Sequence, residues 1–219
     1  MDIILTLLSK KTIAPSIIML QLQPDKKIDF QAGQHLSLLI PSSTGAVERS
    51  FSIASDPGQE TIDFIVRIVA GGLASTFLHN LQPRDVIKAK RPKGLFVIPR
   101  SSSAAKLMFF SSGTGIAPIR SIIRDILINK KTLPIFFCIA QENEREFLLK
   151  NEFDELARLY DNFHFEYSTD SLKIAAQITQ QSKTGDEFYI CGGPTFVSAI
   201  SGTLMAGGTP KHQIHFEKY

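Results

Sequence analysis

The sequence KLMFFSSGTGIAP, residues 106–118, decides how the second half of the chain folds. Lys106–Phe110 is a short apolar run that predicts a strand, and Gly113-Thr114-Gly115 follows it closely. Pro118 favours a helix start here, because proline lacks an amide proton that would go unpaired in the first turn. This order predicts either a pyrophosphate cradle at a helix N-terminus or a tight turn without a ligand.

Outward from this turn, residues 104–219 alternate between strand-like and helical patterns. The predicted strands are 106–111, 133–140, 163–167, 187–191 and 212–216, and the predicted helices are 118–128, 147–160, 172–181 and 194–205. Strands that alternate with helices are typical of a parallel sheet with right-handed crossovers. We therefore predict an α/β domain over residues 104–219, with a five-stranded parallel sheet flanked by helices.

Residues 1–98 have a different pattern, with six short strand-like runs and one helical stretch. The strands are predicted at 3–8, 16–22, 35–40, 47–54, 61–69 and 85–90, and the helix at 73–81. Short strands with regular turns predict an all-β domain, here a six-stranded antiparallel β-barrel. The polar stretch Pro99–Ser103 separates this domain from the second one.

Composition limits the kind of protein that this chain can be. Its 219 residues are 43% hydrophobic and 21% charged, as in ordinary globular proteins. The apolar runs are too short to span a bilayer, and the first residues lack the basic segment of a signal peptide, so we expect a cytoplasmic protein without membrane insertion. Its two cysteines, Cys138 and Cys191, cannot supply the four thiolates of an iron–sulfur cluster, and we predict no metal site.

The charge pattern does not indicate a nucleic-acid partner, because the net charge is only +3. The basic residues Lys88, Lys90, Arg91 and Lys93 nevertheless lie within six positions. Such a run is either a solvated strand edge, where lysine discourages edge pairing, or a docking patch for an acidic protein.

Four further motifs accompany the glycine turn. They are Arg49-Ser50-Phe51-Ser52, Gly71-Gly72-Leu73-Ala74-Ser75, Cys191-Gly192-Gly193-Pro194 and the final Glu217-Lys218-Tyr219. With these motifs in this order, the chain resembles the ferredoxin–NADP reductase superfamily over essentially its whole length. The resemblance implies a flavin in the first domain and a nicotinamide nucleotide in the second.

The first two motifs carry the implied FAD site. By resemblance, Arg49 binds the flavin pyrophosphate, Phe51 lies against the isoalloxazine ring, and Ser52 lies beside the ring nitrogen N5. Taken alone, the first motif could equally be an ordinary strand with a surface arginine, and Ser75 could be a helix cap. The implied FAD-binding residues are Arg49, Ser50, Phe51, Ser52, Ile65, Val66, Arg67, Gly72, Leu73, Ala74, Ser75 and Tyr219.

The second domain carries the implied site for NADPH or NADH. The resemblance places Cys191 near the nicotinamide C4, although a free cysteine is often only a small buried residue. Thr169 stands where NADPH-selective members have arginine, so the choice of nucleotide stays open, with Lys173 as a compensating cation. The implied residues are Gly113, Thr114, Gly115, Pro118, Ser168, Thr169, Cys191, Gly192 and Gly193.

The chain end resembles plant-type members, which finish with a glutamate two places before a terminal tyrosine. By resemblance, the ring of Tyr219 covers the flavin face where nicotinamide must land, and Glu217 serves proton traffic beside Ser52. The candidate catalytic residues are therefore Ser52, Cys191, Glu217 and Tyr219.

The implied function is that of an FAD-dependent NAD(P)H oxidoreductase that passes electrons to a one-electron protein acceptor. That acceptor would be a small acidic ferredoxin or flavodoxin docked on the basic run of residues 88–93. The alternatives are an NAD(P)H:free-flavin reductase, or a reductase component or subunit of a multicomponent oxygenase or other complex.

Overall fold

The computed structural model describes residues 2–99, 101–129, 132–141 and 148–219. The chain divides into two compact units. The N-terminal unit contains Met1–Ile98 together with Arg120–Asp125, and the C-terminal unit contains Pro99–Ile119 together with Ile126–Tyr219.

The N-terminal unit is built on a six-stranded sheet. Its strands are β1 (Ile3–Ala14), β2 (Ile17–Pro24), β3 (His35–Ser42), β4 (Gly45–Ser52), β5 (Ile62–Arg67) and β6 (Val86–Ala89), with helix α1 (Leu73–Asn80) between the last two. All neighbouring strands are antiparallel, in the order β4-β3-β6-β1-β2-β5. An isolated bridge between Ile53 and Phe64 links the two edges of the sheet. The predicted six antiparallel strands are confirmed.

Alternating side chains fill the core of this sheet, because successive strand residues point to opposite faces. Leu5 and Leu7 of β1, Leu36 and Leu38 of β3, and Phe64 of β5 are almost fully buried there. Helix α1 adds Leu78 to the same cluster. This period of two is the signal that the sequence carried.

Strand β1 is longer than predicted. The sequence pattern ended it at Leu8, but the strand continues to Ala14 and pairs with β2, with register shifts after Leu7 and Thr12. The added residues include Lys10 and Lys11, and the ladder with β2 rather than core packing keeps this polar stretch extended.

The C-terminal unit contains a five-stranded parallel sheet, as predicted. The strands are β7 (Lys106–Ser112), β8 (Ile135–Ala140), β9 (Phe163–Ser168), β10 (Asp186–Gly192) and β11 (Ile214–Lys218), in the order β11-β10-β7-β8-β9. The helices are α2 (Ile116–Ile128), α3 (Lys150–Leu159), α4 (Ser171–Gln181) and α5 (Pro194–Ala206).

Several boundaries in this unit differ from the sequence prediction by one to three residues. The strand predicted from His212 begins only at Ile214, because Pro210 leads into one turn of 3-10 helix at Lys211–Gln213. The helix predicted from Phe147 begins at Lys150, and Phe147 itself lies outside the described residues.

Buried ion pairs hold Arg120–Asp125 within the N-terminal unit. Arg120 Nη1 lies 3.1 Å from Asp63 Oδ2, and the two side chains are 6% and 2% exposed. The same nitrogen donates to the Ala54 carbonyl at 2.7 Å, and the Ser121 hydroxyl donates to the Ser55 carbonyl at 2.6 Å. A buried guanidinium depends on these partners, because an uncompensated charge in the interior is costly.

We predict that Asp63→Ala lowers the free energy of unfolding by about 3–5 kcal/mol, because it leaves the Arg120 guanidinium buried without its carboxylate. Chemical denaturation followed by circular dichroism measures this change. The control is Asp154→Ala, which removes the partly exposed pair of Lys150 and Asp154 on α3. That pair is worth less than about 1 kcal/mol, and equal losses in the two variants would contradict the prediction.

Candidate functional site

The first motif lies on β4, an edge strand of the N-terminal sheet. Arg49 and Ser50 are exposed, and Arg49 Nη1 donates to the Glu48 carbonyl at 2.9 Å. Phe51 is half-buried and packs edge-on against Phe64, with ring centroids 6.2 Å apart. Arg49 and Ser50 are therefore accessible to a ligand, while Phe51 is fixed by the core.

Strand β5 is the opposite edge of the same sheet, so it has a neighbouring strand on only one side in the strand order. Ile65 and Val66 are buried, and Arg67 is exposed. The Arg67 carbonyl accepts a hydrogen bond from the Ser75 hydroxyl at 3.5 Å. This contact connects β5 to the start of helix α1.

Helix α1 begins without a side-chain cap among the described residues. Its N-cap residue is Gly72, and its first turn contains no acidic residue. Ser75 is buried in the first turn, so the suggestion that Ser75 itself caps the helix is wrong. The amides at an uncapped helix start are free to bind an anion, which suits the pyrophosphate of FAD.

The glycine turn of the C-terminal unit packs backbone against backbone. After β7, Gly113–Gly115 form one turn of 3-10 helix and α2 follows at once, with Pro118 in its first turn. A Cβ atom on Gly115 would overlap the carbonyl oxygen of Cys191, and one on Gly192 would overlap the Ser112 hydroxyl. The turn after β7 can therefore pack directly against the backbone at the end of β10 because Gly115 has no side chain, while Gly192 leaves room for the Ser112 hydroxyl.

A second helix start lies at the end of β10. Gly193 is the N-cap of α5, no described side chain caps it, and Pro194 is the first helical residue. The space beside Gly193 is open, with no atom within 4 Å of a Cβ placed there. Two helix starts therefore follow adjacent strands at the carboxyl edge of the sheet, where open α/β folds bind ligands.

Four of the predicted residues meet at this edge. The Tyr219 hydroxyl accepts a hydrogen bond from Cys191 Sγ at 3.2 Å and donates to the Thr114 carbonyl at 3.0 Å. The Tyr219 amide also donates to the Gly192 carbonyl at 3.4 Å. The last residue of the chain is thus held by both glycine turns of its own unit.

The ionisable groups at this edge favour their neutral forms. Cys191 is fully buried, and burial raises the pKa of its thiol; the hydrogen bond to Tyr219 opposes the rise and the charge of Glu217 adds to it. Burial likewise raises the pKa of the Glu217 carboxyl. Cys191 is therefore a neutral packing group rather than a thiolate, and Glu217 keeps a proton to a higher pH than an exposed glutamate.

The end of β9 contains a residue that the sequence reasoning missed. Ser168 and Thr169 lie there as expected, and the Ser168 hydroxyl accepts from the Asp170 amide at 3.0 Å. Asp170 caps helix α4, its carboxylate accepting from the Lys173 amide at 3.1 Å. An aspartate just before a helical pattern is a recognisable cap signal, and here it places a negative charge beside Thr169.

The basic run lies on and after β6. Lys88, Arg91 and Lys93 are exposed, whereas Lys90 Nζ pairs with Asp2 Oδ1 at 2.9 Å. Leu95, which follows, is 96% exposed. We name Lys88, Lys90, Arg91 and Lys93 the basic patch.

The described residues contain neither a metal-binding cluster nor a membrane-spanning helix. No group of three or more histidine, cysteine, aspartate or glutamate side chains is arranged to hold a metal ion. None of the helices combines the length and the apolar character needed to cross a membrane.

Comparison with known families matches both halves of the chain. Residues 4–98 match the oxidoreductase FAD-binding domain, and residues 109–202 match the oxidoreductase NAD-binding domain. Ferredoxin–NADP reductase B of Sorangium cellulosum is 31% identical over 210 residues, covering 87% of this chain and 85% of that protein.

Other relatives are longer than this chain. The phenol hydroxylase P5 protein of Acinetobacter pittii is 28% identical over 98% of this chain but only 64% of its own length. The DmpP reductase component of phenol 2-monooxygenase from Pseudomonas is 29% identical over 94% of this chain and 62% of its own length. The chain thus spans less than two thirds of these two relatives.

Among solved structures, a ferredoxin–NADP reductase from Neisseria gonorrhoeae with bound FAD and NADP shares the fold. The TM-score is 0.86 at 21% identity, covering 98% of this chain and 97% of that one. The family matches and the Sorangium relative together show the relationship. The chain belongs to the ferredoxin–NADP reductase superfamily, with an FAD-binding and an NAD-binding oxidoreductase domain.

Proposed function

We propose that this protein is an FAD-dependent NAD(P)H oxidoreductase that delivers electrons to a one-electron protein acceptor. In this proposal residues 1–98 form the FAD-binding domain and residues 104–219 form the NAD(P)-binding domain. The observation that carries it is the packing of the Gly115 and Gly192 turns beside two helix starts, in a chain whose first half matches an FAD-binding domain.

The residues that would hold FAD fit an anionic, flat ligand. The Arg49 guanidinium and the uncapped start of α1 at Gly72 supply donors for the pyrophosphate. The backbone of β5 at Ile65–Arg67 lies at a sheet edge, where it can pair with the polar rim of the ring system. Bound FAD would couple a two-electron hydride donor to a one-electron acceptor.

The nucleotide would be bound by the C-terminal unit. The amides of Gly113–Gly115 and of the α5 start at Gly193 would receive its pyrophosphate. Cys191 would line the nicotinamide site as an uncharged group. Glu217, with its raised pKa, would exchange protons at the ring nitrogen beside Ser52. The resemblance further supports Tyr219 as a cover that shields the flavin until the nucleotide arrives.

The preferred nucleotide in this proposal is NADH. The Asp170 carboxylate stands at the end of β9, next to Thr169. A carboxylate at this place can accept a hydrogen bond from a ribose hydroxyl of NADH, and it repels the 2′-phosphate of NADPH.

The proposed acceptor is a small acidic ferredoxin, with flavodoxin or an oxygenase component as related possibilities. The named relatives are a ferredoxin–NADP reductase, a phenol hydroxylase P5 protein and the reductase component of a phenol 2-monooxygenase. The basic patch would dock the acceptor by charge complementarity. A free-flavin reductase is the alternative, and weak retention of FAD would favour it.

We predict that the purified protein binds FAD and that anaerobic NADH bleaches its visible absorbance faster than NADPH does.

Arg49→Ala should weaken FAD binding by about 10- to 150-fold, the worth of a hydrogen bond to a charged group. Titration of the apoprotein with FAD measures the dissociation constant. Lys11→Ala, which removes an exposed cation from β1, is the control and should bind FAD normally. A folded wild-type protein that binds no flavin would refute the proposed function.

We predict that Gly115→Ala abolishes reduction by the nucleotide but leaves FAD binding intact. The new methyl group would overlap the Cys191 carbonyl and force the two glycine turns apart. Stopped-flow reduction of the bound flavin gives the nucleotide affinity. Gly202→Ala is the matched control, because this helical glycine of α5 has open space at its Cβ position. Normal nucleotide affinity in Gly115→Ala would exclude the turn from the site.

We predict that Lys93→Glu lowers the second-order rate constant for an acidic ferredoxin on the order of tenfold at low salt. The difference should shrink as salt is added, since exposed charges are screened. Reduction of ferricyanide checks that the flavin still turns over. Lys211→Glu reverses an exposed charge in the other unit and serves as control. Equal effects of both reversals would argue against docking on the basic patch.

A further inference from the structure

The amino edge of the C-terminal sheet contains a cavity that the proposed function does not use. Its volume is about 390 Å³, and its apolar lining consists of Ala105, Met108, Pro134 and Ile178. Strand β7 runs from this edge to the glycine turn at its carboxyl end, and its seven residues span about 20 Å. The cavity is therefore separate from the proposed nucleotide site.

Two lysines give this cavity a positive rim. Lys106 opens β7, Lys183 follows α4, and both line the cavity together with Asp186, the first residue of β10. Neither ammonium group pairs with a carboxylate within the described ranges, and Lys106 Nζ lies 5.8 Å from the ring centroid of Phe136. Two cations and one carboxylate leave a net charge of +1 at the rim. This charge favours a ligand that carries a single negative charge.

Hydrogen bonds hold the walls of the cavity in place. The Lys183 amide donates to Asp186 Oδ2 at 2.9 Å, and the Asp186 amide donates to the Lys183 carbonyl at 3.2 Å. The Ala105 amide donates to the Gly185 carbonyl at 2.8 Å, which ties this turn to the start of β7. Asp186 is only 4% exposed, so its carboxylate belongs to the turn, whereas the lysines remain available to a ligand. A site with fixed walls loses little conformational freedom on binding.

Lys183 also lines a second cavity, which is polar and has a volume of about 280 Å³. Its lining includes Thr184 and Gln213, whose side chains make no hydrogen bond in the part of the chain that the structure describes. Lys183 thus lies where an apolar surface meets a polar one. This arrangement matches a ligand that has an apolar body and a charged head.

We propose that the apolar cavity binds a small organic monocarboxylate whose apolar body has the size of one ring. The body packs among the four apolar residues, and the carboxylate accepts hydrogen bonds from Lys106, Lys183 and the Thr184 hydroxyl. The volume is at the lower end of the range of about 300–1,000 Å³ for small-molecule sites, which are mostly apolar with a few polar groups. This binding goes beyond the proposed electron transfer and requires neither flavin nor nucleotide.

The test uses benzoate as the probe and the full-length wild-type protein with ¹³C-labelled methionine methyl groups. The signal of Met108, which is 2% exposed and lines the cavity, should shift saturably with a dissociation constant on the order of 1 mM. Benzamide keeps the ring without the charge, and acetate keeps the charge without the ring, so each should bind roughly five- to tenfold more weakly. A Met108 signal that ignores benzoate, or responds equally to benzamide, would overturn the inference.

Lys183→Gln tests the charged end of the site. It should weaken benzoate binding on the order of fivefold, because the ion pair at this exposed position is partly screened by solvent. Lys26→Gln removes an exposed lysine from the N-terminal unit and should bind benzoate like the wild type. Equal affinities in the two variants would contradict a role for Lys183.

Ala105→Leu tests the apolar end by filling the cavity while keeping both lysines. It should weaken benzoate binding at least roughly tenfold, because the added side chain occupies the space of the ring. Ser103→Leu adds the same side chain at an exposed position that does not line the cavity, and it should have no effect. Unchanged binding in Ala105→Leu, with an unchanged midpoint of thermal unfolding, would exclude this cavity as the site.

Competition with NADH distinguishes this site from the proposed nucleotide site. Benzoate should keep its affinity when NADH is added, because the glycine turns lie at the opposite edge of the sheet. Displacement of benzoate by NADH would overturn the inference. A wild-type protein that binds benzoate but no flavin would overturn the proposed function and leave this site intact.

Discussion

The close approach of two glycine turns is the constraint on which the C-terminal unit depends. Gly115 lets the turn after β7 approach the backbone of Cys191, where a Cβ atom would collide, and Gly192 leaves room for the Ser112 hydroxyl. The same approach brings the Thr114 carbonyl and Cys191 Sγ within reach of the Tyr219 hydroxyl. The proposed nucleotide site would thus be assembled from main-chain groups, which explains why small residues mark it in the sequence.

In the N-terminal unit, too, main-chain groups would provide much of the proposed ligand site, although different elements supply them. The residues proposed to bind FAD lie on the two edge strands of the sheet and at a helix start that no described side chain caps. Edges and helix starts are places where backbone donors and acceptors are left over. A protein that binds FAD can leave them open, because the cofactor pairs with them. In this proposal the Arg49 guanidinium adds a full positive charge to these partial charges.

Much of the fold was readable from the sequence because it depends on local periodicity. The short strand-like runs with regular turns in residues 1–98 and the strand–helix repeat in residues 104–219 correctly predicted six antiparallel and five parallel strands. Features that depend on distant partners were not readable. The polar end of β1 is held by its pairing with β2, and the Arg120–Asp63 pair joins residues far apart in sequence. The motif residues were found by resemblance, whereas the cavity beside Lys183 required the pairing of β7 with β10.

The ionisable groups of the proposed sites fall into two kinds: buried groups that favour their neutral forms, and permanently charged groups on the exposed surface. Cys191 and Glu217 are shifted by burial toward uncharged forms, and His35 is shifted the same way in the other unit. In the proposed function the nucleotide delivers a hydride, and Cys191 would line its site as an uncharged group. Electrons would then leave one at a time with release of a proton, and the protonatable carboxyl of Glu217 would take part in that proton transfer near neutral pH. Permanent charges lie instead on exposed surface such as the basic patch. There solvent screens them, and they could attract an acidic partner protein.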